Sequence, residues 1–81
     1  MPTILRDSGY RFFFYSNERL EPPHIHISGH GGEAKFWLPS CQLARSYNLN
    51  AAQLRDIFDI IIENRDMLAE GWHEFFNSGA G

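Results

Sequence analysis

The spacing of apolar residues along the chain changes once, near Asn50. Before that point apolar and polar side chains alternate in short runs, the period-2 pattern of half-buried strands. After it they recur every three to four residues, as on an amphipathic helix. Thr3 to Arg6 is a short apolar start and Asp7-Ser8-Gly9 is turn chemistry. The aromatic run Tyr10-Arg11-Phe12-Phe13-Phe14-Tyr15 suits a strand, so these two segments predict a β-hairpin. Ser16 to Pro23 reads as a polar loop, and its closing Pro22-Pro23 favours extended backbone and ends the pairing.

His24-Ile25-His26-Ile27-Ser28 alternates polar with apolar, and so does Glu33-Ala34-Lys35-Phe36-Trp37-Leu38 beyond the flexible turn Gly29-His30-Gly31-Gly32. Folded about that turn as a second hairpin, the runs place Ile27 opposite Ala34 and Ile25 opposite Phe36. The other face then holds Ser28 opposite Glu33, His26 opposite Lys35 and His24 opposite Trp37. This register puts the aliphatic partners together on one face, and a one-residue slip would turn them out to water. Pro39-Ser40 ends the strand. Cys41 to Tyr47 fits either an edge strand or a helical turn, with the strand preferred.

The helical half opens on Asn50, a good N-cap, with Gln53 three residues on as in a capping box and Leu49 and Leu54 at the staple positions. Leu54, Ile57, Phe58, Ile61, Leu68, Trp72 and Phe75 follow at helical spacing, while Asn64 and Gly71 interrupt the same stripe, as a kink or a close approach to the sheet would require. The expected architecture is α+β: a small antiparallel sheet of four strands, or five with 41–47, built from two hairpins and packed against one long C-terminal amphipathic helix. A single domain over residues 1–78 and a disordered tail over 79–81 complete it.

Composition narrows the class. Eighty-one residues suffice for one domain, and seven Phe, three Tyr and two Trp give it a dense core, each ring burying roughly 150–250 Å². The lone Cys41 cannot form an internal disulfide and reads as a small buried hydrophobe. With no basic leader ahead of an apolar run and no membrane-length stretch, the expected address is the cytoplasm. Residues 1–50 carry five Lys/Arg against four Asp/Glu, whereas 51–81 carry two against six. Non-specific nucleic-acid binding is therefore not expected.

Three constellations could carry chemistry. On the polar face of the second hairpin, His24 and His26 project to the same side. With Glu33 they could ligate zinc or another divalent metal, since neutral imidazole is the commonest metal ligand. Alternatively, His24 and His26 could act as acid and base on a phosphodiester with Lys35 stabilising charge. Without either role they are polar groups on a solvent face. The second constellation is the acidic stripe Asp56, Asp59, Glu63, Asp66, Glu70 and Glu74, which is either a solvated face or a docking surface for a basic protein. The third is Trp72-His73-Glu74-Phe75-Phe76, mainly packing, where an exposed Phe76 would favour a homodimer or partner contact.

Met1-Pro2-Thr3-Ile4-Leu5, Tyr10 to Glu18, Pro22-Pro23-His24-Ile25-His26, Gly32 to Leu38, Glu63-Asn64-Arg65 and Trp72-His73-Glu74-Phe75 resemble the small bacterial family called domain of unknown function 4160. The Pro-Pro-His-x-His block is the most specific part. The positions shared with the family's pattern are His24, His26, Glu33, Lys35, Trp37, Trp72 and Glu74. The resemblance implies a stand-alone bacterial protein, often found beside another small protein in a layout like that of toxin–antitoxin pairs, and it implies no activity. The leading expectation is an interaction module with a small protein partner, possible sites being Glu33 and Trp37 on the hairpin and Asp59, Glu63 and Asp66 on the helix. A small ribonuclease-like enzyme and a metal-binding domain are the alternatives. No cofactor is otherwise expected.

Overall fold

The computed structural model describes residues 3–15, 21–38 and 40–77. The described part of the chain is α+β. Its strands β1 (Thr3–Asp7), β2 (Tyr10–Phe13), β3 (His24–Gly29), β4 (Gly32–Trp37) and β5 (Leu43–Tyr47) pair in chain order into a single antiparallel sheet, and helices α1 (Ala51–Glu63) and α2 (Arg65–Asn77) follow. The expected tail at 79–81 and most of the Ser16–Pro23 loop lie outside the described residues.

Both hairpins close through two residues with positive φ: Ser8 (54°) and Gly9 (82°) between β1 and β2, His30 (52°) and Gly31 (80°) between β3 and β4. Two left-handed central residues are what a type I′ turn requires, and its twist matches that of the strands. The two turns also touch. His30 Nε2 donates to the Ser8 carbonyl at 2.9 Å, and its ring lies 4.6 Å from that of Tyr10. His30, expected in a flexible loop, is a structural tie between hairpins.

The β3–β4 register is the expected one, His24 opposite Trp37 through Ser28 opposite Glu33. Segment 43–47 is a strand, with an irregularity between Lys35 and Phe36: Lys35 pairs with Arg45, but Phe36 pairs with Leu43. One extra residue, Ala44, therefore sits in β5. A bulge of this kind lets two residues of like parity face opposite ways. Leu43 joins Phe36 on the helix side, and Arg45 stays with Lys35 on the other.

The core lies between one sheet face and the helices. Phe12, Phe14, Ile25, Ile27, Ala34 and Phe36 meet Ile57, Ile60, Ile61, Leu68, Trp72 and Phe76 there. The Asn50 capping box forms as its sequence requires: Asn50 Oδ1 accepts from the Gln53 amide at 2.8 Å, and Gln53 Oε1 accepts from the Asn50 amide at 2.9 Å. Leu49 and Leu54 pack at the core's margin.

Two helix expectations are corrected. The single long helix is two, because Asn64 ends α1 with its side-chain amide donating to the Ile60 carbonyl at 2.8 Å. The Ile60 carbonyl also keeps its backbone partner, the Asn64 amide at 3.1 Å, so the break lies in the Asn64 backbone itself, at φ −114° and ψ 15°. Phe58, expected in the buried stripe, is 40 % exposed, and Phe76 is buried. Ile57, Ile61, Leu68 and Trp72 of the stripe are buried on both sides of the break, while Phe58 sits at the rim of α1, facing the Ser40–Leu43 segment. Gly71 faces Ile4 and Phe14, but a Cβ there would lie 3.7 Å from each, ordinary van der Waals contact, so the position does not require glycine.

Candidate functional site

The sheet face away from the helices carries the residues singled out in the sequence, and it is far less solvated than alternation alone implies. His24 is fully buried, and His26 and Lys35 are only 6 % and 7 % exposed. Aromatic neighbours account for this. The His26 ring stacks on Phe13 at 5.7 Å and meets the edge of Tyr15 at 4.5 Å. His24 contacts His26 at 5.0 Å, Trp37 at 5.8 Å and, at the end of the sheet, Trp72 of α2 at 4.8 Å.

A backbone carbonyl fixes the state of the first imidazole. His24 Nδ1 lies 2.9 Å from the Pro22 carbonyl oxygen, which can only accept, so Nδ1 bears the hydrogen. Pro22-Pro23 thus does more than end a strand. Pro22 orients His24, and the Pro23 carbonyl accepts from the Leu38 amide at 2.8 Å, tying the segment to the end of β4.

Lys35 reaches across to Glu21, its Nζ 2.6 Å from Oε1, and lies 4.7 Å from the Trp37 ring centroid as a cation–π contact. Beside it opens a recess of about 220 Å³ lined by Tyr15, His26, Glu33, Lys35, Arg45 and Tyr47 among others. His26, Lys35 and Arg45 form one row across β3, β4 and β5, since His26 pairs with Lys35 and Lys35 with Arg45. Arg11 lies further along this face, its Nε donating to Thr3 Oγ1 at 2.8 Å and its guanidinium 4.3 Å above the Phe13 ring.

Of the sequence-derived site residues, His26, Glu33 and Lys35 come together at this recess, whereas His24 sits behind them and does not line it. Trp37 is half-buried at the margin. The metal set is not assembled: among the described residues no group of three His, Cys, Asp or Glu gathers to hold an ion. Asp59, Glu63 and Asp66 are exposed on the helices, and Asp66 approaches Arg65 at 4.0 Å. Sequence reasoning missed Tyr15, Glu21, Arg45 and Tyr47. Arg45-Ser46-Tyr47 alternates like a strand, but its segment lacks the apolar partners that make such a pattern legible.

A second depression lies on the helix side, an open groove of about 930 Å³ between the Ser40–Leu43 segment and α1, with Phe36 at its floor and Leu43, Leu54, Arg55, Phe58 and Asp59 around it. Leu43 and Phe58 are 45 % and 40 % exposed. Cys41 also borders this groove. Burial pushes its thiol pKa above the ordinary value, against a smaller opposing effect of the Arg65 charge. It is therefore a poor thiolate nucleophile.

The profile of the family described as domain of unknown function (DUF4160) matches residues 9–73. The chain belongs to the DUF4160 family. That match takes in both hairpins from the first turn onward, β5, α1 and most of α2, so the recess and the groove both fall inside the DUF4160 region. Curated proteins and solved structures give no match to this DUF4160 chain. No helix among its described residues is long and apolar enough to cross a membrane.

Proposed function

We propose that this domain is an interaction module that takes a strand of a small protein partner along β5, with apolar side chains of that partner entering the groove beneath. The observation that carries this reading is an open sheet edge beside an apolar depression. Every residue of β5 is exposed, and Leu43, Leu54 and Phe58 line the adjoining groove. An edge strand presents unpaired backbone donors and acceptors. Strand addition supplies hydrogen bonds along that edge, and side-chain pockets supply selectivity. The exposed carboxylates of Asp59, Glu63 and Asp66 make basic flanks on the partner the complementary ones.

A partner encoded beside this protein, as in a toxin–antitoxin-like pair, fits what the family resemblance implies, a stand-alone bacterial protein often found next to another small one. The single cysteine fits a reducing compartment such as the cytoplasm. Co-expression with the adjacent gene product and size-exclusion chromatography with light scattering test the reading. A heteromeric complex lost in Leu43→Asp and Phe58→Asp is the expected result. A monomer that forms no complex, or a complex indifferent to both substitutions, overturns it.

An acid–base pair of His24 and His26 acting on RNA has less behind it, because a substrate phosphate in the recess would meet His26 but not the enclosed His24. A divalent metal on His24, His26 and Glu33 would need the third ligand to move in.

A further inference from the structure

The open face of the sheet has a feature that strand addition at β5 leaves unused. Lys35 and Arg45 are directly opposed cross-strand partners, and like charges so placed destabilise a sheet. Glu21 neutralises Lys35, but Arg45 makes no ion pair among the described residues. His26 extends the same row on β3, and the three side chains share one recess with the phenol rings of Tyr15 and Tyr47. Glu21 and Glu33 offset two of these charges, but a row of donors at neighbouring-strand spacing, walled by aromatics and partly withdrawn from water, has the makings of a seat for a single anion.

We propose that this recess binds a nucleoside monophosphate, its phosphate on Lys35, Arg45 and His26 and its base stacked on Tyr47. The rest of the lining selects the class. Glu33 lies one row from the cations, opposite Ser28 and Tyr47. A carboxylate there accepts hydrogen bonds from ribose hydroxyls and repels a second or third phosphate. Tyr47, 72 % exposed, offers a ring face at the rim, and stacking on such a ring tolerates any base. A recess of about 220 Å³ leaves the base outside, where that ring stands. Arg11 and Ser28 continue the polar lining past Glu33. The acidic stripe belongs to the helices, which pack against the opposite sheet face.

The test is an amide NMR titration of the intact protein with AMP, with adenosine and inorganic phosphate in parallel. AMP is expected to move the signals of His26, Lys35, Arg45 and Tyr47 saturably, more tightly than either fragment. Arg45→Gln should weaken AMP about tenfold, one charge-assisted contact, with a thermal midpoint that does not fall, since the side chain is exposed and its opposition to Lys35 is relieved. Tyr47→Ala should weaken AMP and leave phosphate as it was. The proposal is overturned if AMP moves none of these signals, if adenosine binds as well as AMP, or if phosphate does. Leu43→Asp and Phe58→Asp lie on the other face and should leave AMP binding intact, so this site and the β5 docking surface stand or fall separately.

Discussion

Replacing His24 by alanine removes a ring held between His26, Trp37 and Trp72 and leaves the Pro22 carbonyl without its donor. The expected cost is about 2–4 kcal/mol, cavity and lost hydrogen bond together, read from urea unfolding. A smaller effect on stability with a loss of some activity would instead mark His24 as a working imidazole. Gly9 is a second point of high sensitivity. With its φ of 82°, a Cβ at this position would stand 2.7 Å from His30 Nε2, which leaves little room for a side chain. Gly9→Ala should cost about 1–2 kcal/mol for the left-handed backbone alone, and a double-mutant cycle with His30→Ala, which itself gives up the Ser8 bond, isolates any part due to the contact. Two buried acids lower stability at alkaline pH. Burial, and secondarily the Asp56 charge, raises Tyr10 above its ordinary 10.0, while burial raises Cys41 above 9.0. In each case the folded state keeps a proton that the unfolded chain releases, so the unfolding free energy has a negative slope with pH. Their contribution is whole below about pH 9 and is lost as pH rises through the folded values, which a pH series of urea melts would register as a falling midpoint.

At the level of elements, the second hairpin was the most legible part of the chain. Ile25 and Ile27 have only one arrangement that buries them against Phe36 and Ala34, and the His30-Gly31 turn enforces it. Asn50 and Gln53 announced the helix start just as plainly, and Asn50→Ala should cost about 1 kcal/mol in thermal unfolding. What the polar face would look like was not legible. Alternation tells which way His26 and Lys35 point, but their burial comes from Phe13, Tyr15, Trp37 and Glu21, brought in from other segments. Nor does helical periodicity decide between a kink and a close approach at Asn64 and Gly71. Here the first ends α1 and the second meets Phe14. Asn64→Ala removes the side-chain bond to Ile60 while the backbone one stays, and should lower stability by no more than about 1 kcal/mol. Circular dichroism alongside that melt would show any gain in helix from joining α1 to α2.

On the scale of the whole molecule, the two faces of the sheet divide the work. One holds the core and, past Leu43, an apolar groove that reaches the β5 edge, while the other gathers cations and rings above a partly dry floor. Leu43 and Phe58 are more than half buried against the groove, so Leu43→Asp and Phe58→Asp should each cost the isolated domain about 1–2 kcal/mol, and a thermal melt of each variant separates that cost from the loss of a complex. Strand order equal to chain order has a kinetic consequence as well. Each strand pairs with the one made just before it, so every step of sheet growth closes a short loop, and short loops close fast. The cover for that sheet arrives late, since Leu68, Trp72 and Phe76 follow the last strand by twenty residues or more. During synthesis the apolar face is covered in part by Ile57, Ile60 and Ile61 of α1 and waits for α2 to complete its cover. Trp37 and Trp72 stand in β4 and α2, so single-tryptophan variants followed by stopped-flow fluorescence can time sheet and cover separately, and a lag of the second behind the first would measure how long the unfinished sheet is open to wrong partners.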